Sequence, residues 1–148
     1  MLAKFFVFLR ITAGSVFVAS GFIKLMQPHQ NFLAIIQSYE IFTGTTATLL
    51  AKTMPWAEFV VGVFLILGFW SRISILVLWV LNTVFIGLIS SALIRRLPIQ
   101  ECGCFGDSYS LSPQQTLGLD VALWLTFLCM AAYFDYTKYF SLDKYFDK

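Results

Sequence analysis

Cys102-Gly103-Cys104-Phe105-Gly106 sets two thiols one glycine apart in a short polar connection between two long apolar stretches. Residue types in that pattern offer paired sulfur chemistry at a membrane surface. A disulfide across a single residue needs an unusual backbone, which Gly103 permits because it has no Cβ. A strained disulfide is more easily reduced and is a stronger oxidant, so the pattern suits thiol-disulfide exchange better than structural stapling. Gly106 lets the chain leave the site sharply. An ordinary thiol of pKa ~8.5 is only about 3% thiolate at pH 7, so a nucleophile here needs help. Glu101 and Asp107 oppose its ionisation, while Arg95 and Arg96 favour it.

Two other readings compete. The cysteines can be small apolar residues that happen to fall in a loop, or they can join His29 and Asp107 around a metal. No familiar zinc spacing is present, so no metal is assigned, and His29 reads as an interfacial side chain. The third cysteine, Cys129, lies about 25 Å along its helix from the helix start, too far to reach the loop pair. It reads as a small buried apolar residue.

The elements that position this loop follow from composition. Of 148 residues, 59% are hydrophobic and 12% charged, against about a quarter charged in soluble domains. The chain is therefore expected to be an integral membrane protein. At ~1.5 Å per residue, a layer of ~30 Å takes ~20 residues to cross, and the length accommodates four such spans. These are placed at about 4–25, 46–70, 73–94 and 113–134, in a single all-α membrane domain. The first run is read as an uncleaved span, because Phe22, Ile23 and Leu25 carry it past its small residues to bilayer length. Within it, Gly14 and Gly21 lie a heptad apart, and Ser15 and Ala19 four apart, spacings that allow close helix approach in lipid.

Between the first two spans, Phe32, Ile35, Ile36 and Tyr39 recur at helical spacing among polar residues. That pattern predicts an interfacial amphipathic helix within 27–42. Pro55 should kink the second span or begin its regular portion. Ser71 and Arg72 are read as a tight turn. The redox loop occupies 97–111. Ser112-Pro113-Gln114-Gln115 then supplies an N-cap serine, proline at N1 and glutamine at N3, the signature of a capping box. The tail 135–148, with its Tyr, Phe and Lys residues, reads as an interfacial anchor.

Arg10, Glu58 and Asp120 interrupt apolar spans, where an unpaired charge costs at least ~2.5 kcal/mol. Lys24 and Glu58 lie at similar depth across a helical hairpin and are the preferred pair. Arg10 is expected to snorkel to the surface. Asp120 falls on the same half of the membrane as the cysteine loop. Glu58 and Asp120 suit either structural pairing or proton handling beneath the thiols, and Asn82 is expected to hydrogen-bond between helices. Lys24, Glu58 and Asp120 are also the candidates for shaping a quinone-sized cleft.

Four spans place both termini on one side and the cysteine loop on the other. Lys4, Arg10, Arg72, Lys138, Lys144 and Lys148 fall on the terminal side, and Lys24, Lys52, Arg95 and Arg96 on the loop side. The bias favours cytoplasmic termini weakly. Disulfides persist outside the reducing cytosol, which agrees with a loop on the outer face. A net charge of +2 with no basic stripe gives no footprint for nucleic acid.

These residues together resemble the MauE/DoxX group of small bacterial membrane proteins, in its MauE-like branch. The likeness is carried by Arg10 with Gly14, by Gly21-Phe22-Ile23-Lys24-Leu25, and by Tyr39. It continues in Pro55-Trp56-Ala57-Glu58 with Gly62 and Gly68, in Arg72, and in the Cys102–Gly106 segment. At the fourth helix the chain has Leu119-Asp120 where Arg-Asp is expected, so the acid matches and its basic neighbour is missing. The resemblance implies a four-helix bundle in the bacterial inner membrane and a part in thiol-disulfide chemistry or in maturing exported proteins. MauE itself is associated with maturation of the disulfide-rich light subunit of methylamine dehydrogenase.

The expected function is a membrane thiol-disulfide redox protein. Cys102 and Cys104 would be its catalytic pair, and Gly103, Phe105, Gly106, Glu58, Lys24 and Asp120 would support them. Lacking a second cysteine pair, it would use a quinone-like carrier, another subunit, or partners on the same face. A periplasmic thioredoxin-like protein or a disulfide-containing client fits that last role. The alternatives are a non-catalytic membrane partner of a redox complex and a small proton-coupled transporter.

Overall fold

Large apolar side chains on the outside and polar groups within are the reverse of a soluble domain, and the described residues show this inversion. Phe5, Phe8, Phe22, Leu49, Trp56 and Leu76 are exposed, whereas Arg10, Ser20, Lys24, Glu58, Asn82 and Asp120 are buried. Lipid solvates the first set, and the second must find partners inside the bundle. A computed structural model describes residues 2–96 and 112–134. Cys102, Gly103, Cys104, Phe105 and Gly106 lie outside the described residues, as does the tail 135–148.

Among the described residues the chain forms five helices: α1 (Leu2–Met26), α2 (His29–Ser38), α3 (Gly44–Leu67), α4 (Ser71–Ile94) and α5 (Pro113–Ala132). Four of them, all but α2, are long and apolar enough to cross a membrane. The protein is a multi-pass membrane protein built as an all-α four-helix bundle. The short α2 buries Phe32 and Ile36 against Ala47 and Ala51 of α3. Arg95, just past α4, ties down the end of α2: its Nη1 donates to the Tyr39 carbonyl at 3.3 Å and its Nη2 to Glu40 at 3.0 Å.

Close approach of α1 and α3 sets the register of the bundle. A Cβ built on Gly21 would stand 2.7 Å from the Phe59 nitrogen and 2.8 Å from the Pro55 carbonyl oxygen. Gly14 and Gly62 likewise face each other across the same antiparallel contact. Ser15 and Ala19, the other small pair, are exposed instead. Ser15 satisfies its hydroxyl on the Ile11 carbonyl of its own helix, so α1 packs through its glycines and turns this pair outward. Helix α3 runs unbroken through Pro55. The proline is buried in the α1 contact, where neighbouring helices hold the chain helical despite the lost donor.

Gly68, in the left-handed region at φ 69°, ends α3, with the amides of Gly68 and Phe69 returning to the carbonyls of Leu65 and Phe64. Ser71 and Arg72 are the first residues of α4, and the turn is made by Gly68, Phe69 and Trp70. The capping box forms at α5, where Gln115 N donates to Ser112 Oγ at 3.4 Å and Ser112 N to Gln115 Oε1 at 3.3 Å. One apolar cluster, including Phe6, Phe17, Leu65, Leu78, Phe127 and Met130, fills the end of the bundle near the N-terminus. The cluster beneath α2 fills the other end, and the buried polar residues Lys24 and Glu58 lie between the two.

Candidate functional site: a buried polar chamber

Ser20 and Lys24 stand four residues apart on α1 and so share a face. In a helix each Cα–Cβ bond leans toward the N-terminus, so on antiparallel α1 and α3 the side chains of Lys24 and Glu58 lean toward each other. The Gly21 contact removes the steric barrier between their backbones. Lys24 Nζ donates to both Glu58 oxygens at 2.8 Å, and Ser20 Oγ donates to Oε2 at 2.9 Å. The ammonium also lies 4.9 Å from the centroid of the Phe32 ring and 5.0 Å from that of Phe85. A desolvated cation is thus held by a bidentate carboxylate and two aromatic faces.

Asp120 of α5 and Asn82 of α4 complete the chamber. With Ser20, Lys24 and Glu58 they line a cavity of about 20 Å³ whose remaining walls include Phe17, Phe85 and Leu123. This is room for a single water molecule. It does not hold a quinone ring, so the quinone-sized cleft expected at Lys24, Glu58 and Asp120 is not formed there. The chamber lies toward the end of the bundle where α4 finishes and α5 begins. Asp120 is seven residues inside the start of α5 and Phe85 nine residues short of the end of α4, or about 11–14 Å along the axes.

Several side chains are placed differently from their sequence reading. Arg10 is only 2% exposed and does not snorkel to the surface. Asn82 is 1% exposed, yet neither Oδ1 nor Nδ2 makes a hydrogen bond, so it does not bridge helices directly. The α4–α5 bridge is made instead by Trp124 Nε1 donating to Thr83 Oγ1 at 3.1 Å. Cys129 is a free thiol on an exposed face rather than a buried core residue. Ser20 escaped the sequence reading altogether, although its position one turn before Lys24 was the available signal. Lys24, Glu58 and Asp120 are brought together, while Cys102 and Cys104 fall outside the described residues.

A family model described as methylamine utilisation protein MauE matches residues 2–136. The chain belongs to the MauE family. The match covers α1 to α5 together with the cysteine-bearing connection, so fold and family agree on a membrane protein of a group linked to methylamine utilisation. No curated protein and no solved structure matches the chain.

Proposed function

We propose that this MauE-family protein is the membrane component of a thiol-disulfide exchange system, with Cys102 and Cys104 as the exchanging pair. The observation that carries the reading is the Cys-Gly-Cys-Phe-Gly segment, inside the family match and in the stretch of sequence between α4 and α5. The partner is a thioredoxin-like protein or a disulfide-containing client. A partner thiolate attacks one loop sulfur, forming a mixed disulfide and expelling the other as thiolate. The partner's second thiol then displaces the loop, leaving the partner oxidised by two electrons and the loop as a dithiol. The reverse sequence reduces the partner, so this exchange needs no additional oxidant.

The protein would lie in the bacterial inner membrane with its termini in the cytoplasm and the loop in the periplasm, where disulfides persist. The family's description points to a disulfide-containing enzyme of methylamine utilisation as the client class. Lys24, Glu58 and Asp120 would act on the loop through their charge, with Asp120 about two helical turns inside the start of α5.

Single-cysteine variants Cys102→Ser and Cys104→Ser test the reading. The variant that keeps the attacked sulfur should trap a mixed disulfide with a periplasmic protein, and the double variant should trap none. Retained partner binding without any thiol titration in the wild type would instead favour a non-catalytic scaffold.

A further inference from the structure

Between the start of α4 and the end of α5 lies a groove of about 450 Å³, within the range of about 300–1,000 Å³ that holds small ligands. Two of its lining residues, Ile75 and Phe127, are buried, while Leu76 and Leu128 are exposed on the outside of the bundle. The groove therefore opens sideways toward lipid. Arg72 is the only charged side chain among the described residues that line it.

Arg72 is the second residue of α4, which sets it at the membrane boundary, with Leu76 one turn deeper. Its guanidinium lies 6.0 Å from the centroid of the Phe134 ring, which lines the same groove. No carboxylate among the described residues pairs with it. The planar fork of guanidinium donors matches the oxygens of a phosphate.

The groove thus joins two demands at one place, an unneutralised cation at the boundary and an apolar channel below it. A soluble anion answers the first alone, and a neutral lipid the second alone. A zwitterionic lipid offsets its own phosphate with an ammonium. An anionic phospholipid answers both, since basic side chains at this level attract anionic headgroups.

We infer that the groove is a binding site for one anionic phospholipid, its phosphate on Arg72 and one acyl chain lying along Ile75, Leu76 and Phe127. The site is formed at the end of the bundle away from the cysteine-bearing connection, so its occupancy is independent of thiol exchange.

Photocrosslinking of the full chain in lipid nanodiscs tests this, with benzoylphenylalanine in place of Leu76. The nanodiscs hold phosphatidylcholine with about one-tenth phosphatidylglycerol, an anionic share low enough to reveal attraction. Mass spectrometry then counts the adducts of each lipid. Phosphatidylglycerol should be enriched about fivefold over its share, the effect of one basic side chain near the surface. Arg72→Gln should return the adducts to the bulk proportion, and Arg72→Lys should keep most of the enrichment. The same photoprobe in place of Phe5, exposed at the same end of the bundle beside Lys4, should show no comparable enrichment. Equal enrichment at the two positions would mean a general attraction to basic surface and overturns the site. So does enrichment that survives Arg72→Gln, or a probe that crosslinks to residues 135–148 or to a second copy of the chain instead of lipid. Absence of enrichment with Arg72 intact overturns it even if a variant fails to fold.

Discussion

Lys24 and Glu58 illustrate how much a buried ion pair depends on both partners being present. The pair is desolvated, bidentate and reinforced by Ser20, so removing one member strands the other charge among apolar neighbours. Glu58→Gln and Lys24→Met should each destabilise the detergent-solubilised protein by about 3–5 kcal/mol. The double variant should fall short of their sum by about 1 kcal/mol or more, because the two groups share one network. Equilibrium unfolding of the four proteins measures the cycle, and additive single effects would show that the contact contributes no coupling. The participants were partly legible from sequence. A lysine and a glutamate at matching depth on adjacent spans have few other ways to avoid an unpaired charge. Asn82 faces the interior as expected but finds no hydrogen-bond partner there, and Arg10 was misread because whether a polar residue faces the interior or the lipid depends on helix rotation. Nothing in the types of the neighbours of Arg10 fixes that rotation.

Helix contacts in lipid are set by how closely backbones approach, which ranks the glycines by what surrounds them. Gly21 meets backbone atoms of α3 that cannot swing aside, Gly14 meets the movable Ile66 side chain at 2.6 Å, and Gly87 meets nothing within 4 Å. Gly21→Ala should therefore cost roughly 1–3 kcal/mol by forcing α1 and α3 apart. Gly14→Ala should cost less, and Gly87→Ala should be neutral or gain up to about 1 kcal/mol in helix propensity. Thermal unfolding of the three variants checks the order, and a Gly21 variant as stable as the Gly87 one would remove the close α1–α3 contact as the source of register. Sequence spacing drew attention to both Gly14/Gly21 and Ser15/Ala19, but only the first pair packs, since the two pairs lie on different sides of one helix. Pro55 teaches a similar lesson. Its lost donor would break an exposed soluble helix, whereas within the bundle its neighbours keep α3 continuous.

At the scale of the whole molecule, four spans bring Phe6, Arg72 and Tyr133 to one end and the start of the cysteine-bearing connection to the other. A membrane-impermeant maleimide added from the periplasmic side of whole cells should label reduced single-cysteine variants at Cys102 or Cys104. A variant retaining only Cys129 should resist, because that exposed thiol lies about 24 Å, more than four turns, from the start of α5. Labelling of the loop only after the inner membrane is opened would reverse the orientation and remove the oxidising compartment on which exchange depends. The sequence by itself determined the number and type of the spans, the cap that starts α5 and the placing of the two thiols in a polar connection. Length against bilayer thickness, local capping chemistry and composition are all readable one segment at a time. Only the tertiary structure decided that Lys24, Glu58, Asn82 and Asp120 share a chamber, that Arg10 is enclosed and that Cys129 looks outward. Helices apolar on nearly every side carry little record of which side faces inward. In this bundle that choice was made by the glycine contacts between α1 and α3 and by the few polar groups that had to meet.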